Sequence, residues 1–519
     1  MSRYGLLAAF LFLFSCLISG QHKEPFNIVD KPLRIEIPVQ SDKETHRIIP
    51  CGKAGMILFY KSVEVTTDFS TLWYFTYYDR NLQKIWVKSA PILSSLEYKD
   101  IDIRGDTLYL CFEADKKNRN RDVNFQILHI ALPSGSFVLN NGKIPDQGVI
   151  LSFEVVGRKA FIGLNNEEEK SSLLLMDLPT GQTNIIPLMP EDKSALLHCS
   201  ASPDGTNLTL LVSKILTKRT AELYLCKFRS DGTKEFEVKI STNTLTNEFT
   251  NITEISPSES ETLIIGSYSA NPGTKKATEE ESTGLVTVSF VSVVQKSIEY
   301  YNFLDLKNIK QLLSEKDVLS LRKKSIKKSR ADQEYSLDFS LLLHQIIPWK
   351  GQLIVAAEAY HPQYHTESFT DYDFYGRPYT NTYSVFDGYR FTGIILAAFD
   401  KDGKMVWDNA MSIKNLLSFN LEPKINLYLT GNEIVLTYLS EGKIACRIIR
   451  ESETVEKTTF SEMELNSTND KLLNETRSRM VHWYEDYFLC YGYQEIRDIS
   501  KGGNDKRLVY FCNKVKFDR

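Results

Sequence analysis

Seven tyrosines crowd the stretch AYHPQYHTESFTDYDFYGRPYTNTYSVFDGYRFTG, residues 359–393. Phenols at this density suit recognition: each ring offers broad, stiff contact area with a polar tip at low entropic cost. Tyr360, Tyr364, Tyr372, Tyr375, Tyr379, Tyr383 and Tyr389 are therefore the residues expected to meet a partner, a protein or a sugar. The plainer reading is that the rings pack on one another and hold a long loop in shape. His361, His365, Glu367, Asp371 and Asp373 all carry odd numbers and would share one face of an extended chain, the donor set of a divalent metal. Pro362 and an irregular backbone break that periodicity, so neither metal nor cofactor is expected.

A second cluster is basic. Arg322, Lys323, Lys324, Lys327, Lys328 and Arg330 put six cations into nine residues with no acid among them. Such a run suits an acidic partner or anionic lipid head groups; as a solvated helix end it would complement the helix dipole.

Catalytic signatures are missing. The chain has no G-x-S-x-G elbow, no H-E-x-x-H, no phosphate-binding glycine loop and no C-x-x-C. Its eight histidines are scattered. Carboxylates converging from separate strands need no local motif, so a glycosidase-like arrangement stays open, but the balance favours a non-enzymatic protein.

The elements that must position these residues are strands. Runs such as MILFYKSVE, DTLYLCFEAD, KAFIGLN, LTLLVSK, TLIIGSYS, QLIVAAEAY, EIVLTYLS and YFLCYGY recur with Asp/Asn/Gly turns between them. Units starting near Ile48, Ile101, Leu151, Leu197, Ile252, Leu341, Ile425 and Val481 repeat at about 40–55 residues, the period of a four-stranded propeller blade. The expected fold is all-β: a single β-propeller of seven or eight four-stranded blades over 33–519, with Leu33 to Val39 closing the last blade. Two insertions break the period, a basic helical insertion at 303–336 and a long Tyr-rich loop insertion at 359–393, a long loop or an extended hairpin leaving the sheet. Leu306, Ile309, Leu312 and Leu313 supply the helical spacing of the first.

Composition sets the compartment. Hydrophobic content of 42%, charged content of 25% and a net charge of −4 describe a globular chain with no global field for nucleic acid. MSRYGLLAAFLFLFSCLISGQ has one arginine, a short apolar run and small residues before a polar turn, an export signal over 1–20, with 21–32 as a linker. Cleavage after Gly20 is expected; Leu13-Phe14-Ser15-Cys16 resembles a lipobox and offers lipidation at Cys16 as the alternative. The other seven cysteines sit mostly among strand formers and read as buried free thiols.

Ala397 to Asn409, AAFDKDGKMVWDN, resembles the repeat of quinoprotein-type propellers, in which the motif braces neighbouring blades. The segments AEAYHPQY, DFYGRPY, VFDGYRFTG and AAFDKDGKMVWDN together resemble an uncharacterised family of exported proteins from Bacteroidota-type cell envelopes, over about 304–409. That resemblance implies a compartment, periplasm or outer-membrane surface, and an architecture. It implies no catalytic residue.

The expected function is thus a non-enzymatic docking or scaffold subunit. Its contacts are the seven tyrosines with Arg322, Lys323, Lys324, Lys327 and Lys328, and its partner is another envelope protein, in one version an outer-membrane export or assembly complex. The alternative is a carbohydrate-binding or carbohydrate-active propeller. A sugar site would concentrate aromatics and carboxylates around the central channel, whereas docking would leave an exposed apolar patch beside the insertions.

Overall fold

The computed structural model describes residues 26–27, 33–202, 204–217, 220–242, 248–258, 260–270, 281–313, 337–501 and 505–517. These form eight antiparallel sheets, each of four main strands: 47–93, 96–142, 149–187, 194–239, 248–302, 339–418, 426–462, and 470–517 completed by Arg34–Pro38. They are called blades 1 to 8 below. Sheets of this size expose two apolar faces, and the chain buries both by stacking each blade on the next. Eight apolar clusters result, one between every pair of successive blades. The first joins Phe59 and Trp73 of blade 1 to Leu110 and Phe112 of blade 2, and the last joins Met56 and Leu58 of blade 1 to Tyr491 and Tyr510 of blade 8. The ring is therefore closed, and the repeat of aliphatic strands is its cause.

Closure is covalently staggered. Arg34–Pro38 pairs antiparallel with Lys506–Phe517, so the outermost strand of blade 8 comes from the other end of the chain. Arg34 fastens it. Its guanidinium, with a fully buried side chain, donates to Asn513 Oδ1 at 2.7 Å, Gln494 Oε1 at 2.8 Å and Glu36 Oε1 at 2.8 Å.

The helix expected from the spacing of Leu306, Ile309, Leu312 and Leu313 is not what forms there. Two 3-10 turns, Phe303–Asp305 and Ile309–Leu312, take its place. The apolar residues serve the cluster between blades 5 and 6, and the Asp408 carboxylate ties the segment down by accepting from Lys307 N at 3.0 Å and Asn308 N at 2.8 Å. The spacing of apolar residues was met by burial without helical hydrogen bonding. Arg322, Lys323, Lys324, Lys327, Lys328 and Arg330 lie outside the described residues, as does Cys16.

The segment from Ala397 to Asn409 ties blade 6 to both of its neighbours. Gly403 O accepts from Thr287 Oγ1 of blade 5 at 2.7 Å, and Asn409 Nδ2 donates to Glu451 O of blade 7 at 3.0 Å. Its Asp400 turn is a type I turn with a left-handed Gly403, φ 83°, followed by a bulge. A type I′ turn would need two positive φ angles in a row.

Candidate functional site

The Tyr-rich stretch is a β-ribbon rather than a loop. Gln352–Tyr372 and Pro378–Phe399 are the second and third strands of blade 6 and run on far past their neighbours. Pairing with Phe339–Leu343 stops at Tyr360, and pairing with Met405–Ser418 stops at Tyr389. Beyond that the two strands pair only with each other for nine rungs, Tyr364↔Phe386 to Tyr372↔Pro378. At about 3.4 Å per residue the arm projects roughly 30 Å from the blade. Tyrosine, phenylalanine and threonine are strand formers, so alternation carries the hairpin out into solvent.

An isolated two-stranded ribbon is marginal in water, and two features hold this one. At its root, Tyr360, Tyr389 and Phe386 form an edge-to-face aromatic cluster, with ring centroids 5.6 Å apart for Tyr360–Tyr389 and 5.1 Å for Phe386–Tyr389. Along one face, His365 bridges Asp387 and Glu367, Glu367 accepts from the Tyr383 hydroxyl, and Asp371 accepts from the Tyr379 hydroxyl at 3.2 Å. These hydrogen bonds hold the exposed His365 imidazole above its usual pKa and Glu367 below the usual carboxylate range. The bulge at Gln363/Tyr364 brings Asp387 to His365. Among the described residues no group of three or more His, Cys, Asp or Glu is arranged to hold a metal.

The tip has a different character. Asp373 Oδ1 accepts from Tyr375 N at 2.9 Å and Arg377 N at 2.8 Å, and Gly376 takes φ 74°. This turn leaves Phe374 and Tyr375 at its two central positions, 98% and 81% exposed. Nothing in the turn requires aromatic side chains there. The seven tyrosines thus divide: Tyr360 and Tyr389 pack at the root, while Tyr364, Tyr372, Tyr375, Tyr379 and Tyr383 are exposed.

The central channel is the other candidate, and charged residues from different blades line it. The first strands of blades 2 to 6 touch in succession around the axis, as do those of blades 7, 8 and 1. In the first strand of blade 2, Asp100, Asp102 and Arg104 alternate with Ile101 and Ile103. Arg104 bridges Asp102 Oδ2 at 2.9 Å and Glu154 Oε2 of blade 3 at 3.0 Å. Burial, with repulsion from Asp102, pushes the Glu154 carboxyl up to about 7 against the pull of Arg104. Glu254 of blade 5 accepts from Ser200 of blade 4, and burial pushes it up to about 6. Around blades 7, 8, 1 and 2 the wall carries Glu422, Lys424, Arg479, Arg47 and Tyr98.

Sequence reasoning passed over this lining. A usable signal was present: charged residues alternating with aliphatics in the strand that opens a repeat unit, as in DIDIR and SFEVV. Its first strands also bulge at Tyr98/Asp100, Ile150/Ser152 and Leu196/His198. Leu151 and Leu197, the extra residues of two of those bulges, are 46% and 42% exposed.

No family model matches the chain, and no curated protein matches it. Among solved structures it is similar to the polysaccharide lyase Uly1, at 8% identity over 80% of this chain and 89% of that one, TM-score 0.37. It is also similar to the β-propeller domain of the Trilobed protease from Pyrococcus furiosus, at 9% identity, 80% and 98% coverage and TM-score 0.33. A eukaryotic initiation factor is similar at 9% identity, with 91% of each chain covered and TM-score 0.39.

Proposed function

We propose that this protein is a non-enzymatic propeller that docks to another protein of the cell envelope through the arm of blade 6, its ring serving as a rigid mount. One observation carries the reading. A ribbon about 30 Å long leaves the ring and ends in two aromatic side chains that pack on nothing but each other and Arg377, with Phe374–Tyr375 centroids 5.7 Å apart. Exposed aromatics on a stiff projection are the pattern of an interface anchor, which fills a pocket on its partner and gives up little entropy in doing so. The ribbon's two edges offer unpaired backbone groups as well, so an extended segment of the partner can add as a third strand. Export to an envelope compartment and a contribution from residues 322–330 belong to the same proposal.

The test is affinity purification of tagged wild-type protein from its own envelope beside Phe374→Ala/Tyr375→Ala, followed by reconstitution with the purified candidate. The double variant should keep its circular dichroism and melting temperature and lose affinity at least about tenfold, as hot-spot truncation does. Equal affinity of both proteins would sink the reading.

A carbohydrate-binding propeller has one observation in its favour, the carboxyls of Asp102, Glu154 and Glu254 brought to the channel from three blades. Under that reading the phenols of the arm are not the sugar site, because the ribbon offers two open faces and no concavity.

A further inference from the structure

The channel wall is polarised along its axis. In an up-and-down blade the first strand starts on the face where the second and third strands join, so the arm of blade 6 and the starts of all the first strands share one face. Arg47 is the first residue of Arg47–Pro50, and Lys424 lies just ahead of Asn426–Thr430. Arg104 is the last residue of Leu96–Arg104, and Glu154 is near the end of Val149–Val156. The carboxylates of Asp102 and Glu154 therefore lie toward the far face and the cations Arg47 and Lys424 toward the arm, while Arg479, past the middle of Asp470–Tyr484, is tied to Lys424 through Glu422.

Two of those three cations share one carboxylate. Glu422 Oε2 is 3.0 Å from Arg479 Nη1, and Glu422 Oε1 is 3.3 Å from Lys424 Nζ. Arg47 makes no ion pair with a described residue; its guanidinium lies over the Tyr98 ring, 4.8 Å from the centroid. The other acid near Lys424 is already committed. Glu358 is fully buried and accepts from Lys424 N, Ile425 N and His344 Nε2 at 2.9, 2.8 and 2.7 Å. The Lys424 side chain is 7% exposed, and the buried Arg479 Nε has no hydrogen-bond partner. Lys424 and Arg479, part-buried on a single shared carboxylate, and the exposed, unpaired Arg47 are cations in excess of their counter-charges, and with an unused guanidinium N–H they call for an anion.

We propose that Arg47, Lys424 and Arg479 form a binding site in the channel, on the arm side, for a small molecule carrying an oxyanion group. The two guanidinium groups supply paired N–H donors to a carboxylate or phosphate, and the ammonium adds charge at short range. Tyr98 carries the Arg47 guanidinium over its ring, and Glu358 fixes the backbone that places Lys424. The site does not use the arm.

Isothermal titration of the full chain at pH 7 and low salt, with sodium glucuronate, inorganic phosphate and neutral glucose, tests this. Glucuronate or phosphate binds with a Kd of about 1 mM or tighter, and glucose does not bind. Whichever anion binds tells a carboxylate ligand from a phosphate one. Arg47→Ala, an exposed position outside the apolar clusters, keeps the wild-type melting temperature and weakens the anion at least about tenfold. Phe374→Ala/Tyr375→Ala binds it as the wild type does, so a failure of docking and a failure of this site are told apart. No heat from either anion up to about 20 mM, or equal affinity in Arg47→Ala, overturns the proposal.

Discussion

At the residue scale, buried ionisable groups divide into those that brace the fold and those that make its stability depend on pH. Glu358 braces: removing its carboxylate strands the N–H groups of Lys424 and Ile425 at a blade boundary. Glu358→Ala should therefore cost about 2–4 kcal/mol in urea unfolding, well above a surface substitution. Glu154 does the other. Its folded pKa of about 7 lies above the ordinary carboxylate value, so the folded state holds the proton more tightly than the unfolded one. Its contribution is present in acid and lost as pH rises through about 7. Glu154→Gln should gain on the wild type in melting temperature between pH 5 and 8.5. His46 has the opposite sign. Stacked between Tyr60 and Tyr510 at 4.6 and 4.9 Å, it is held down to about 4 by burial. It stabilises above its unfolded pKa, and that contribution disappears as pH falls through about 4. His46→Gln should flatten the acid limb of the same curve.

At the element scale, the arm departs most from what the residues announced. Its tyrosines were conspicuous, but whether they lay on a loop or a ribbon depended on pairing between residues as far apart as Tyr364 and Phe386, which composition does not record. The helical spacing at 303–313 misled for a related reason. Apolar residues three and four apart satisfy a helix face, and they equally satisfy two tight turns pressed into a seam. The Asp408 carboxylate, about a hundred residues away, supplies the hydrogen bonds that decide for turns. Because the outer arm contributes nothing to the apolar clusters, replacing residues 366–384 with Asn-Gly should leave the melting temperature within about 2 °C of wild type while abolishing docking. A large drop in melting temperature would mean that the ribbon is part of the scaffold.

At the scale of the whole molecule, the fold was the most legible part. Eight aliphatic strand units at blade spacing pointed to a ring, and eight inter-blade clusters make one. The channel lining was the least legible, since residues 47, 98, 422, 424 and 479 become neighbours only once the ring has closed. The seven described cysteines are free, six of them buried; burial pushes Cys199, Cys226 and Cys446 up to about 12, so these thiols stay protonated and pack as hydrophobes. Ring integrity rests on the clasp instead. Arg34→Ala strands Asn513, Gln494 and Glu36 together and should cost about 2–4 kcal/mol. Deleting residues 26–39 should expose the edge of blade 8 and produce dimers or larger species on size-exclusion chromatography with light scattering.

That clasp also sets a clock. Arg34 and Asn513 are 479 positions apart, so at about 5–20 residues per second the early strand waits on the order of 25–100 s for its partner to be made. Through that interval the outer strand has no blade to join and the circle is unlatched. A chaperone or translocase meets a chain that has not yet locked, and the final strand to be synthesised turns the key.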